Sequence, residues 1–286
     1  MQISLEGKRA FVTAGGDGMG RTTAITMHEL GAEVFTCDID PRGLATLPDG
    51  ITTWECDVSD SSALNAIFDE ILPGGLDIMI NNAGVGGNGA VEETSAKRYL
   101  DVMNIDLCGA TRCIQAALPG MRARGSGTIV NITSVAGRLA AVAQAPYVAA
   151  KWALEGVSEQ LALEVAGFGV RVAIVEPGIT QSSIFGKNVD MPNETGAYGP
   201  ANERMLQMYA AGAANATPAV EVGEVIRHAI ETNDPKLRYQ VSWGGAEMVA
   251  GRAAMSDEDW VMLGTIESLD EYVAAFNDAF GIDIGL

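Results

Sequence analysis

Histidine is nearly absent from this 286-residue chain: His28 and His228 are the only two. Neither lies near a motif, and both read as surface or dimer-contact residues. The four cysteines, Cys37, Cys56, Cys108 and Cys113, stand at no spacing typical of metal ligands, so no metal centre is expected. They fall inside apolar strand and helix patterns and read as buried free thiols of a reducing compartment. Positive charge is also scarce. Eighteen Lys and Arg stand against 37 Asp and Glu, a formal net charge of −19, which repels nucleic acid and anionic membrane alike. No apolar run approaches ~18 residues, so no membrane-spanning helix is expected. Met1-Gln2 leads directly into a strand, without a charged-then-apolar leader. The expectation is a cytoplasmic protein whose partner is a small molecule.

What is present is a regular alternation. Hydrophobic residues make up 48% and charged residues 19% of the chain, a globular composition with ample length for a full core. Lys8 to Thr13 reads as a strand, Ala14 to Gly20 as a glycine turn, Arg21 to Leu30 as a helix, and Ala32 to Cys37 as a second strand. Further strands are expected at Ile51–Cys56, Leu76–Ile80, Gly127–Ile132, Val170–Val175 and Arg238–Val241. Helices are expected at Ser61–Leu72, Ser95–Arg124 (broken near Asp101–Asn104), from Pro146 onward, Ala201–Ala211, Val220–Glu231 and Leu269–Phe280. This alternation predicts an α/β fold, a doubly wound parallel sheet of about seven strands with helices on both faces. A single Rossmann-type domain is expected over 1–286, with a lid at 183–218 and a helical extension at 246–286.

Two stretches carry chemistry. The glycine turn follows a strand and opens a helix, the setting in which backbone amides and the helix dipole receive a pyrophosphate. Asp38 ends the second strand eighteen residues after Gly20, where a carboxylate accepts the two ribose hydroxyls of an adenosine. A 2′-phosphate there would meet a like charge, so Asp38 favours NAD over NADP. The other stretch runs from Asn131 to Lys151. Ser134 lies at the end of a strand, and Tyr147 and Lys151, four apart, share one helix face. A phenol beside an ammonium, facing a hydroxyl, suits acid–base work. Alone, the trio fits a half-buried anchor, a snorkelling lysine and a loop cap equally well.

The order and spacing of these motifs resemble the short-chain dehydrogenase/reductase family, over about residues 5–242. Thr13 to Gly20 is similar to the family's Thr-Gly-x-x-x-Gly-x-Gly, with Ala14 in place of its first glycine. The resemblance implies cofactor contacts from Gly15, Asp17, Gly18, Met19 and Gly20. Asp38 and Ile39 would meet the adenosine ribose, and Asp57 and Val58 the adenine. Asn82, Ala83 and Gly84 of Asn-Asn-Ala-Gly would flank the cofactor, and Pro177, Gly178, Thr180 and Ser182 would meet the nicotinamide end. It also implies a catalytic tetrad of Asn104, Ser134, Tyr147 and Lys151. A free tyrosine titrates near ~10, and the Lys151 ammonium with the oxidised nicotinamide would draw Tyr147 down to act as acid and base. Ser134 would hold the substrate oxygen, Lys151 would bond the nicotinamide ribose, and Asn104 would position a relay water. The expected activity is hydride transfer between NAD and a secondary alcohol or ketone. The alternatives are an NADPH-dependent carbonyl reductase and a non-catalytic dinucleotide sensor.

The pocket is expected to be walled by Val85, Gly86, Val135, Ala136, Val142 and Gln144, with Met191, Met205, Met208 and Tyr209 from the lid. That lining suits a hydrophobic, alicyclic or steroid-like substrate, with Gln144 orienting it beside Ser134 and Tyr147. Lid methionines that only pack on the sheet fit the pattern nearly as well. The Tyr147 helix is apolar nearly all round (Trp152, Leu154, Val157, Leu161, Leu163, Val165), which suggests a homo-oligomer, dimer or tetramer. The acidic tail beyond Ala246 is left with three roles: covering the pocket, extending an interface, or shielding the last strand.

Overall fold

The computed structural model describes residues 4–184 and 191–285. Seven strands, β1 (Arg9–Thr13), β2 (Glu33–Asp38), β3 (Thr52–Glu55), β4 (Ile78–Asn81), β5 (Gly127–Ile132), β6 (Val170–Pro177) and β7 (Arg238–Val241), form one sheet in the order 3-2-1-4-5-6-7. Every pairing is parallel. The order reverses between β1 and β4, so a crevice opens beyond their C-terminal ends, where doubly wound sheets take ligands.

Eleven α-helical segments accompany the sheet among the described residues. They are α1 (Gly18–Glu29), α2 (Pro41–Leu44), α3 (Ser61–Ile71), α4 (Ala96–Met103), α5 (Ala110–Arg124), α6 (Ala145–Val165), α7 (Gly199–Asn215), α8 (Ala219–Glu231), α9 (Gly245–Ala254), α10 (Asp257–Leu263) and α11 (Leu269–Phe280). Alternation along the strands divides the core. Phe11, Met79 and Ile129 pack with α3, α5 and α6, while Ala10, Val12, Ile78, Ile80 and Val130 pack with α1 and α8. Because both faces are covered, the central strands are largely apolar, with Thr13, Asn81, Asn131 and Glu176 buried toward their C-terminal ends.

The structure sharpens the sequence reading at several points. Helix α1 starts at Gly18 because the Asp17 carboxylate caps it, accepting from the Gly18 N–H. The break in the long helix is a π-helical turn over Asn104–Gly109, which joins α4 to α5 without interrupting the path. Cys108 is half-exposed, unlike buried Cys37, Cys56 and Cys113, because it sits on the outer side of that turn. The tail is built into the molecule: Tyr272, Phe276, Phe280, Ile282 and Ile284 form a third core with Met248, Ala211 and Leu139. Residue Met191 of the expected lid is described, whereas 185–190 lie outside the described residues.

His28 is half-buried, and His228 is exposed, edge-on to Tyr239. No described helix is long and apolar enough to cross a membrane. On α6, Leu154, Leu161 and Val165 are buried, whereas Trp152, Val157 and Leu163 are exposed.

Candidate active site

The crevice is lined first by the glycine turn. Ala14 adopts φ 56°, the left-handed region for which the turn's usual glycine is suited. A Cβ on Gly15 would lie 1.9 Å from Thr36 Oγ1, and one on Gly20 would lie 2.1 Å from the Ala14 carbonyl. Gly15 thus lets the turn approach β2, and Gly20 lets α1 approach the turn's backbone. Asp38 stands at the end of β2, where its carboxylate accepts from the Gly16 N–H and the Asp40 N–H, each at 2.9 Å. Ile39 beside it is 66% exposed, and Val58 is buried next to Asp57, whose carboxylate accepts from the Ser59 N–H. Thr13 Oγ1 accepts from the Asn82 and Ala83 N–H groups, and Asn82 Nδ2 donates to the Thr13 and Ala14 carbonyls. Asn82 Oδ1 is left buried without a hydrogen-bond partner among the described residues. Bare backbone at a helix start, an acid at the end of β2 and an orphaned acceptor between them fit a dinucleotide.

The proton-bearing groups lie at the ends of β5 and α6. Ser134 is 8% exposed; its Oγ accepts from the Ala136 N–H and lies 3.4 Å from the Pro177 carbonyl. Tyr147 is half-buried on the first turn of α6. Lys151, one turn on, is 4% exposed, with its Nζ 5.6 Å from the Tyr147 ring centroid. Nζ donates to the Ile132 carbonyl at 3.2 Å. Lys151's ammonium is nonetheless held above its ordinary range: burial pulls it down, but Asp106, Tyr147 and Glu155 more than offset that.

Asn104 is not placed with this group. Its Oδ1 accepts from Arg112 at 2.7 Å, and Arg112 also reaches Ser61 and Val58, so Asn104 faces the segment between β3 and α3. The residue of the π turn that meets Lys151 is Asp106, fully buried, with Oδ2 3.2 Å from Nζ. Its Oδ1 accepts from the Val85 N–H at 2.8 Å. Burial pushes the Asp106 carboxyl up, opposed by Lys151, the Val85 N–H and Arg98. Sequence reasoning missed Asp106; the available signal was an acid on the inward side of the helix break.

Ser134 and Tyr147 open into one cleft of about 1110 Å³, counting its mouth. Gly86, Val135, Ala136, Val142, Gln144, Met205, Met208 and Tyr209 line it as expected, and Pro177, Gly178, Thr180 and Ser182 edge it. Val85 and Met191 do not line it. The tail does: Met248, Trp260, Tyr272 and Phe276 form its far wall, with Arg204 from α7. Thr180 Oγ1 is 2.7 Å from Ser242 Oγ, which ties the cleft's edge to β7.

Residues 8–193 match the family model described as short chain dehydrogenase. The chain belongs to that family. This short-chain dehydrogenase is 34% identical over 182 residues to D-xylose 1-dehydrogenase of Caulobacter vibrioides, covering 61% of this chain and 73% of that protein. It is 30% identical over 207 residues to human 17-beta-hydroxysteroid dehydrogenase type 1, covering 69% of this chain and 62% of that protein. A crystal structure of a short chain dehydrogenase/reductase from Burkholderia phymatum in complex with NAD superposes with a TM-score of 0.73. It is 25% identical, over 82% of this chain and 89% of that one. The named substrates of the first two, a sugar and a steroid, are of opposite polarity, so the cleft itself has to indicate what this oxidoreductase takes.

Proposed function

We propose that this short-chain dehydrogenase moves hydride between NAD and a hydrophobic secondary alcohol or its ketone, with Tyr147 as acid and base. The observation that carries this reading is that Ser134 and Tyr147 face a cleft whose lining is mostly apolar, with Met205, Met208 and Met248 and the tail's Trp260, Tyr272 and Phe276 among its walls. Burying apolar substrate surface against such walls contributes about 25 cal/mol per Å², whereas a polyol would lose water contacts that these side chains cannot replace.

The dinucleotide, when bound, supplies hydride acceptance or donation at the substrate carbon. The protein moves the proton. Tyr147 Oη takes it from the alcohol during oxidation and returns it during reduction. Ser134 Oγ donates to the substrate oxygen and fixes its place, and the Lys151 ammonium supplies positive charge beside the phenol. Gln144, on the cleft wall, orients a polar substituent. Preference for NAD follows from the Asp38 carboxylate. Arg42, the nearest cation after β2, is ion-paired with Asp40 at 2.8 Å rather than poised for a 2′-phosphate. The assignment of a bound NAD in the Burkholderia phymatum relative is in line with this.

The test is a panel of steroid-like, alicyclic and polyol alcohols with NAD and with NADP, run on wild type and Tyr147→Phe. Turnover should be confined to apolar alcohols with NAD and fall at least a thousandfold in the variant. Near wild-type turnover by Tyr147→Phe, or activity on polyols alone, would overturn the reading.

A further inference from the structure

We propose that Asp106 is the fixed counter-ion of Lys151, a positioning residue that keeps the ammonium charged and aimed beside Tyr147. This inference rests on the acid–base reading of Tyr147 given above. Its own support is geometric. Asp106 and Lys151 are 0% and 4% exposed, and their charged atoms are 3.2 Å apart. Oδ2 meets the Lys151 ammonium at ion-pair distance, and Lys151 is the charge that balances it. Two buried charges this close hold each other, and removing one leaves the other uncompensated.

The local structure is shaped to admit the pair. Asp106 reaches inward from a π-helical turn, a widening that is frequent at functional sites. Gly84 faces both charges. A Cβ there would lie 3.0 Å from Asp106 Oδ2 and 3.2 Å from Lys151 Nζ. Through the Val85 N–H, the same carboxylate fixes the loop that follows Asn-Asn-Ala-Gly. Asp106 thus joins the strand-end loop, the helix break and α6 at one point.

The charged surroundings of Lys151 leave this role to Asp106. From α6 come Tyr147 and Glu155. Glu155 is already engaged, accepting from Thr133 Oγ1 at 2.6 Å and from Arg238 at 3.0 Å. From α4, Arg98 acts on Asp106 and gives its own hydrogen bond to the Gly86 carbonyl. From β5 comes only the Ile132 carbonyl. An amide at position 106 would preserve shape and the Val85 contact while removing the charge. Without the carboxylate, burial acts on Lys151 less opposed, and the ammonium gives up its proton at lower pH.

The decisive variant is Asp106→Asn, compared with wild type in two measurements. One is the pH profile of kcat/KM for alcohol oxidation. Its alkaline limb, where the Lys151 charge is lost, should move toward neutral pH by a unit or more. The other is an NMR titration of the Lys151 side chain in the cofactor-free protein, which should shift in the same direction. An unmoved limb and titration in a folded variant would overturn the proposal. If Asp106→Asn does not fold, wild-type Lys151 decides: it should titrate above the ordinary ~10.4, and a lower value overturns the proposal. Loss of activity in Tyr147→Phe together with an unmoved Asp106→Asn profile sinks the counter-ion alone. Retained activity in Tyr147→Phe sinks the acid–base reading and leaves the titration to judge the pair.

Discussion

The Arg204 guanidinium lies over the Tyr272 ring, 4.7 Å from guanidinium carbon to ring centroid, and donates to the carbonyls of Gly264 and Ile266. Arg204 is on α7 and is 7% exposed, so one side chain clasps the lid helix to the tail that walls the cleft. Arg204→Ala should cost about 1–3 kcal/mol through two hydrogen bonds and one ring contact. The thermal midpoint should fall by several degrees. The substrate's KM should rise more than kcat falls, because the cleft wall loosens while Ser134, Tyr147 and Lys151 stay in place. An unchanged KM in a destabilised variant would show that the clasp does not shape the cleft.

Tyr272 makes the same tail sensitive to alkali. Burial pushes its phenol up to about 12, with Arg204 opposing, while an unfolded tyrosine titrates near ~10. The folded state therefore favours the neutral phenol. Its contribution is intact below pH ~10 and is lost as pH rises through ~12, in total about 2–3 kcal/mol. Urea midpoints of wild type and Tyr272→Phe should run parallel up to pH ~9 and then converge or cross, with wild type losing more stability. Parallel curves to the end would show that the tail opens before Tyr272 ionises.

Ala14 is the third case. Its φ of 56° costs an L-residue about 1–2 kcal/mol, of which glycine would recover part after its larger unfolded-state entropy. Ala14→Gly should stabilise the protein by about 0.5–1 kcal/mol, read as a higher denaturant midpoint at unchanged slope. A destabilised variant would mean that the alanine methyl makes a packing contact that outweighs the backbone strain.

The sheet was legible because its cues are local. Continuous apolar strands, the Gly15–Gly20 turn and the four-residue spacing of Tyr147 and Lys151 each act through chain neighbours, and the parallel order followed from strands alternating with helices. Asp106 was not legible for the opposite reason. A helix break can be read from composition, but which of its residues meets Lys151 depends on the widened pitch, so Asn104 was named and Asp106, two residues on, was not. The tail's aromatic residues were visible as a helical stripe of Tyr272, Phe276 and Phe280. Their destination was not, since that stripe packs against Leu139 and Ala211, more than sixty residues away in sequence.

The π turn makes length a constraint on this chain, separate from side-chain chemistry. A π turn holds one residue more than an α turn, so deleting one residue between Asn104 and Gly109 would let the helix close with regular α-helical bonds and leave α4 and α5 facing as they do now. Val102, wholly buried, and Arg98 at the Gly86 carbonyl would keep their places, while the widened turn that carries Asp106 inward would be gone. An inserted residue would find no such slack, because the turn has already absorbed one.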